Sequence, residues 1–259
     1  MTNQRVLVTA GASGIGYAIA NCFSQSGAEI HIVDIDQEAV EKVKQSAGLS
    51  NALFTVADVS DEAAVAEMVS RQNTHFDGID VLINCAGIKG PTGATEDLDL
   101  SDWQRCLEVN LQSTFLCSKH VIPLLKPQRS GSIINLSSTA GWHGYPLRSP
   151  YAAAKWGIIG LTKSMAMELG VHGIRVNAIC PGSVAGDRMD RVIADEANKT
   201  GLQESEIRQM YTKGSSMRSF IEAEDIAQTA FFLASEGAKR ITGQAISVDG
   251  HLENFGGID

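Results

Sequence analysis

Cysteine is present without any pattern that would give it a structural role. The five cysteines (Cys22, Cys85, Cys106, Cys117 and Cys180) are odd in number, form no C-x-x-C pair and have no histidines at ligand spacing, which argues against a disulfide framework and a zinc site. They read as small core residues of a reducing compartment, and no metal is expected. Positive charge is also in short supply. Lys and Arg number 21 against 30 Asp and Glu, a formal net charge of −9, and the basic residues are scattered. Such a surface repels phosphate backbones and acidic lipid, so neither nucleic acid nor membrane is an expected partner. No apolar run approaches the roughly 20 residues that span a bilayer. Met1 to Arg5 runs directly into an apolar strand without a basic leader or cleavage site, so the expected location is cytoplasmic. Internal repeats and linker-like stretches are missing too, which leaves residues 1–259 as one domain.

What is present is an ordinary globular composition, 44% hydrophobic and 20% charged, enough to build one large core. Short Val- and Ile-rich runs alternate with longer stretches of helical period, the pattern of βαβ units around a buried parallel sheet. Seven strands are predicted over Arg5–Thr9, Glu29–Asp34, Ala52–Ala57, Val81–Asn84, Ser132–Ser137, Arg175–Ile179 and Ala245–Val248. Helices are predicted over Gly14–Ser26, Asp61–His75, Ser101–Leu125, Pro150–Leu169 and Ala223–Ala234, with Ser60 and Ser101 as candidate caps. From Gly186 to Arg218 the chain becomes polar and charged, which predicts an irregular excursion of loop or helix that carries substrate contacts.

Three local features carry chemistry. Thr9-Ala-Gly-Ala-Ser-Gly-Ile-Gly16 joins the first strand to the first helix. A glycine-rich turn there exposes helix N–H groups and a dipole that bind a pyrophosphate, although glycines at such a junction are often only turn residues. Asp34 ends the next strand about 20 residues on, where an acid accepts the ribose hydroxyls of an adenosine and repels a 2′-phosphate. With Ser13 before Gly14 and no Lys or Arg in the turn, NAD is favoured over NADP. Tyr151-Ala-Ala-Ala-Lys155 sets a phenol and an ammonium one helical turn apart on one face. The cation stabilises phenolate and lowers the tyrosine pKa toward a value useful for acid–base catalysis. The pair opens the helix after the strand ending in Asn135-Leu-Ser-Ser138, so the Ser138 hydroxyl faces the same crevice.

Taken together, the glycine turn, Asp34, Asn84-Cys-Ala-Gly87, Asn110, Ser138, Tyr151-x-x-x-Lys155 and Pro181-Gly182 resemble, in order and spacing over nearly the whole chain, the short-chain dehydrogenase/reductase family. The resemblance implies a single-domain, Rossmann-like, doubly wound α/β fold with seven parallel strands flanked by helices on both faces. It also implies hydride transfer between NAD and a secondary alcohol or ketone. Residue by residue, Tyr151 resembles the acid–base group and Ser138 the hydroxyl that orients the substrate oxygen. Lys155 resembles the group that binds the nicotinamide ribose and tunes Tyr151, and Asn110 the anchor of a water in the proton path. Gly11, Ser13, Gly14, Ile15 and Gly16 resemble the phosphate cradle, Asp34 and Ile35 the ribose end, and Asp58 and Val59 the adenine contact. Asn84, Ala86 and Gly87 resemble the segment beside the adenosine ribose, and Pro181, Gly182 and Val184 the carboxamide contact. A homotetramer formed through the long helices and the last helix and strand is implied as well. Two positions depart from the family pattern. Ala10 stands where a Gly usually follows the Thr, so a slightly re-shaped turn is expected, and Cys85 stands where many relatives have Asn.

Trp142, His143, Tyr145 and Arg148 lie between Ser138 and Tyr151 and are expected to form one wall of the substrate pocket, with Ser138 and Tyr151 at its base. Lys89 and the segment with Gly186, Asp187, Arg188 and Arg191 are expected opposite. If these charges face inward, a small hydroxy acid fits best, with polyols and sugars as the nearest rivals; if they point to solvent, the lining says nothing. A 3-oxoacyl-[acyl-carrier-protein] reductase and a non-catalytic NAD-binding regulator are the alternatives. A nucleotide-sugar epimerase or dehydratase is a further one, but needs a larger substrate domain.

Overall fold

Consecutive residues of each central strand are apolar, so each strand buries both of its faces. In the computed structural model, which describes residues 4–49 and 51–252 without the side chains of Ala47, Arg188 and Lys199, two hydrophobic layers result. Val6 and Val8 face one and Leu7 the other, as do Val81 and Ile83 against Leu82, and Ile134 against Ile133. The elements in chain order are β1 (Arg5–Thr9), α1 (Gly14–Gln25), β2 (Glu29–Asp34), α2 (Gln37–Lys44), β3 (Leu53–Val56), α3 (Glu62–Phe76), β4 (Val81–Asn84), α4 (Leu100–Leu107), α5 (Ser113–Gln128), β5 (Gly131–Leu136), α6 (Ser149–Leu169), β6 (Ile174–Pro181), α7 (Asp187–Thr200), α8 (Glu204–Lys213), α9 (Ala223–Ala234) and β7 (Ala245–Val248).

The strands form one parallel sheet in the order β3-β2-β1-β4-β5-β6-β7. α1, α2 and α9 cover one face, where Ile19, Phe23, Val40, Ile226 and Leu233 are buried. α3, α5 and α6 cover the other with Val65, Met68, Val121, Leu125 and Met165. The order of winding reverses between β1 and β4, so a crevice opens at their carboxyl ends.

Several local expectations are corrected. The helix predicted over Ser101–Leu125 is interrupted by a π-helical turn, Glu108–Gln112, between α4 and α5. Apolar periodicity does not register one extra residue in a turn. Ser60 does not cap α3: Asp61 does, its carboxylate accepting from Ala63 N–H at 2.8 Å. Ser101 lies inside α4, preceded by Asp99 at the cap position. The excursion after Gly186 is helical, built from α7 and α8, and Gln203 and Glu206 form a reciprocal capping box at the start of α8. Its apolar anchors are as sparse as Ile193 and Ile207, which is why its period is faint in the sequence. At the Ala10 position, where the turn was expected to be slightly re-shaped, the alanine takes the left-handed conformation that favours glycine, at φ 49°.

Beneath β2, His31 is fully buried, its ring nitrogens 3.1 Å from Gln72 Oε1 and 2.8 Å from Thr55 Oγ1. Burial depresses its pKa to about 3. The unfolded chain therefore binds a proton below about pH 6.5 that the folded chain does not accept until about pH 3. The stability that neutral His31 contributes is complete above pH 6.5 and is lost as the pH falls toward 3. Urea titrations should show stability declining from pH 6 to pH 4, and His31→Val should flatten that slope by about 1.4 kcal/mol per pH unit, one proton's worth. An unchanged slope would show that His31 is not the group responsible.

Candidate active site

The crevice begins at the β1–α1 turn. Gly14 takes φ 51°, and a Cβ there would meet nothing within 4 Å, so the turn is open on its outer side. A Cβ on Gly16 would overlap the Ala10 carbonyl, so glycine is required for α1 to lie this close to β1. Ser13, at the N-cap, makes no side-chain cap hydrogen bond. The first turn of α1 therefore keeps N–H groups that its cap does not satisfy, the arrangement that suits a phosphate. Gly11 N–H donates to Val33 O at 3.1 Å, and Ile15 packs against the core.

Asp34 ties this turn to the end of β2. One carboxylate oxygen accepts from Ala12 N–H at 3.0 Å and the other from Asp36 N–H at 3.1 Å. Each oxygen keeps a lone pair for a ribose hydroxyl. Beside it Ile35 is exposed, and Asp36 adds a second carboxylate, which caps α2 through Ala39 N–H. After β3, burial pushes the Asp58 carboxyl up, but hydrogen bonds from the Ser60 hydroxyl and N–H and from Arg105 outweigh it and hold the group below the usual range. Val59 turns into the core with the residues of α3.

Thr9, which sequence reasoning passed over, joins the two strands at the switch point. Its hydroxyl accepts from Cys85 N–H at 3.0 Å and Ala86 N–H at 3.2 Å and donates to Ile83 O at 3.3 Å. The Asn84 side chain points into the layer between sheet and helices, donating to Asn135 Oδ1 at 2.8 Å and Ser118 Oγ at 3.2 Å.

Asn110 lies on the π-turn. Its amide nitrogen donates to Ile88 O at 3.0 Å and Cys106 O at 2.9 Å, while its buried Oδ1 has no hydrogen-bond partner. A Cβ on Gly87 would sit 2.8 Å from that oxygen and 3.5 Å from Lys155 Nζ, so Gly87 leaves both atoms room. Lys155 is buried on α6 and donates to Leu136 O at 2.8 Å. Its Nζ is 5.5 Å from the centre of the Tyr151 ring. Ser138 Oγ accepts from Ala140 N–H at 3.1 Å, which leaves its proton to donate. The π-turn thus brings Asn110, and the first turns of α6 bring Tyr151 and Lys155, to the side of Gly87, while Ser138 follows directly on the end of β5; Pro150 favours helix initiation at the start of α6.

Arg148, immediately before α6, lies over two rings, 5.3 Å from the centre of Tyr145 and 5.5 Å from that of Tyr151. It donates to Lys89 O at 2.7 Å, and its buried Nε has no hydrogen-bond partner. Trp142 is partly exposed, and the His143 carbonyl accepts from Trp156 Nε1 at 3.5 Å. Of the opposite wall, Lys89 reaches Asp195 of α7 at 3.8 Å, while Asp187 and Arg191 are exposed on α7. The Arg188 side chain lies outside the described residues.

β6 ends in Pro181, and Gly182 N–H donates to Val248 O at 3.0 Å. A Cβ on Gly182 would come within 2.9 Å of Asp249, so glycine is required there, and Val184 bridges to Ile221. A polar cavity of about 540 Å³ lies at the opposite, amino-terminal ends of the strands, near Gln4, Asp80 and Arg175, and contains none of these groups. Among the described residues, no cluster of three or more His, Cys, Asp or Glu is close enough to hold a metal ion, and no helix is long and apolar enough to cross a membrane.

A family model described as enoyl-(acyl carrier protein) reductase matches residues 9–252. D-beta-hydroxybutyrate dehydrogenase of Rhizobium meliloti (strain 1021) is 36% identical over 252 residues, 95% of this chain and 97% of that protein. A 3-oxoacyl-[acyl-carrier-protein] reductase of Thermotoga maritima is also 36% identical, over 95% of this chain and 96% of its own. The crystal structure of an NAD+-bound xylitol dehydrogenase superposes with a TM-score of 0.90 at 31% identity, covering 96% of this chain and 98% of that one. With the seven-stranded doubly wound sheet and the assembled tyrosine–lysine pair, these likenesses make the chain a member of the short-chain dehydrogenase/reductase family, an oxidoreductase that interconverts alcohols and ketones with a nicotinamide cofactor.

Proposed function

We propose that the protein is a cytoplasmic, NAD-dependent dehydrogenase of small hydroxy acids, oxidising a secondary alcohol that bears a carboxylate. One observation carries the reading: Tyr151 has two cations beside its ring, Lys155 Nζ and the Arg148 guanidinium, each 5.5 Å from its ring centre. Lys155 supports proton transfer, and Arg148, donor-only and with a buried Nε lacking a partner, suits an anionic substrate group. The hydroxybutyrate relative favours the same class, while the xylitol dehydrogenase keeps polyols as the rival. The reductase from Thermotoga keeps a carrier-protein ketoreductase as the second reading. The net charge of −9 counts against docking an acidic carrier.

The cofactor, when bound, accepts the hydride from the alcohol carbon. The chain's own residues do the rest. Ser138 donates its proton to the substrate oxygen and holds it against Tyr151, and Tyr151 takes the hydroxyl proton as the carbonyl forms. Lys155 favours the phenolate and binds the nicotinamide ribose. The Asn110 oxygen, buried and without a partner, holds the water that passes the proton outward. α1's first turn receives the pyrophosphate, and Asp34 the adenosine ribose.

Tyr151→Phe should lower kcat by about a hundredfold or more while the dissociation constant for NADH, followed by fluorescence, stays near its original value. Arg148→Ala should cost carboxylate substrates roughly tenfold to a hundredfold in kcat/KM and spare uncharged alcohols. Near-normal turnover in the first variant would remove the catalytic assignment, and uniform losses in the second the hydroxy-acid one.

Cofactor choice rests on Asp34 and the neighbouring Asp36, which put negative charge where a 2′-phosphate would sit. The protein should use NAD over NADP, and Asp34→Ala should narrow the gap. Kinetics in which the native protein uses NADP equally well would refute the assignment.

A homotetramer is proposed as well. Leu100 on α4, Phe115 on α5 and Trp156 on α6 are 69%, 48% and 50% exposed, and large exposed apolar side chains on neighbouring helices favour a protein partner. Light scattering at micromolar concentration should give four times the chain mass, and Phe115→Glu should give a smaller species. A monomeric native protein would exclude this assembly.

A further inference from the structure

Arg105, on the last turn of α4, reaches out of its own helix to the segment that follows β3. Its two terminal nitrogens divide between two acceptors: Nη1 donates to Ser60 Oγ at 2.8 Å and Nη2 to Asp58 Oδ2 at 3.0 Å. A hydroxyl that accepts from a guanidinium has its proton left to give. Ser60 gives it to Asp58 Oδ1 at 2.6 Å, alongside its own N–H at 2.9 Å. Oδ1 therefore has both lone pairs engaged and Oδ2 one of its two, so the Asp58 side chain keeps a single acceptor position. The carboxyl stays below its usual pKa range in spite of burial, so at neutral pH it has no proton to offer.

The sheet order gives that acceptor a place. β1, β2 and β3 lie side by side, and their carboxyl ends lead in turn to the glycine turn, Asp34 and Asp58. Ala57 N–H donates to Asp34 O at 2.9 Å, which ties the second strand end to the third. With the pyrophosphate at the first and the ribose at the second, the base of the dinucleotide falls toward the third. An acceptor-only group there matches an exocyclic amine and opposes a carbonyl. Adenine carries the amine on its six-membered ring; hypoxanthine carries a carbonyl at the same atom. Without Arg105 the contrast fades: the carboxylate is free to turn, and the Ser60 hydroxyl, no longer accepting from a cation, is free to swing out and donate to that carbonyl.

We propose that Arg105 is a positioning residue for the cofactor: by fixing the Asp58 carboxylate and the Ser60 proton it makes the protein select adenine-bearing over hypoxanthine-bearing nicotinamide dinucleotides, an inference that rests on the dinucleotide placement proposed above. The test measures the dissociation constants of NADH and of reduced nicotinamide hypoxanthine dinucleotide, both followed by nicotinamide fluorescence. Their ratio is compared within each variant, where partial loss of folded protein does not move it. The native protein should bind NADH about tenfold or more tightly than the analogue, the worth of one well-made hydrogen bond. Arg105→Leu should bring the ratio to within about threefold, as should Asp58→Ala. A residue that only held α4 to the sheet would weaken both dinucleotides alike and leave the ratio where it was. Equal affinity of the native protein for the two, or a ratio kept in Arg105→Leu whatever Asp58→Ala does, overturns this inference alone. Binding of NADPH in preference to NADH by the native protein overturns the placement of the ribose at Asp34, and the inference with it.

Discussion

The hydrogen bond from Lys155 Nζ to Leu136 O is the constraint around which the site is arranged. An ammonium taken out of water must be met by acceptors, since an uncompensated buried charge costs several kcal/mol. The last carbonyl of β5 supplies one, which fixes α6 against the sheet. The second attachment comes from the same strand end, where the Ser137 hydroxyl donates to Lys155 O at 2.8 Å. With α6 held at two points, Tyr151 one turn earlier has little freedom. A side chain on Gly87 would press on the Asn110 side-chain oxygen, which lies 2.8 Å from where its Cβ would be.

The sheet was legible because its information is local and repeated. Seven apolar runs, alternating in face, describe a doubly wound sheet without help from tertiary contacts, and β1, β2, β4 and β7 were predicted to the residue. The approach of Lys155 to Tyr151 was legible for a related reason: the two stand one helical turn apart on one helix. What was lost depends on contacts that sequence spacing does not carry. Thr9 matters because β4 pairs beside β1, and Asn84 turns inward because Ser118 and Asn135 are there to accept. The helix caps failed more simply, because an acid one or two residues away from each proposed serine took the position instead.

Charge is divided between the two ends of the crevice. Asp34 and Asp36 make the adenosine end negative, whereas Lys155 and Arg148 make the reaction end positive. On the reading proposed above, a ligand that is anionic at the reacting end and lacks a phosphate on its adenosine ribose matches this division.

The π-turn at Glu108–Gln112 has a consequence for the length of its helix. Each residue of an α-helix advances the side chains by about 100° around the axis, so an inserted residue offsets the two flanking segments by that angle. Cys106 upstream and Leu116, Val121 and Leu125 downstream are nonetheless all buried, and Asn110 at the insertion turns its amide into the crevice. Losing any single residue between Leu100 and Gln128 would let the turn relax to ordinary α geometry and rotate one segment out of phase with the other. Either the apolar stripe of α5 would leave the sheet, or Asn110 would swing away from Lys155. Point substitutions along this helix leave the offset alone, whereas one-residue deletions erase it, so the segment should vary in composition across relatives far more freely than in length.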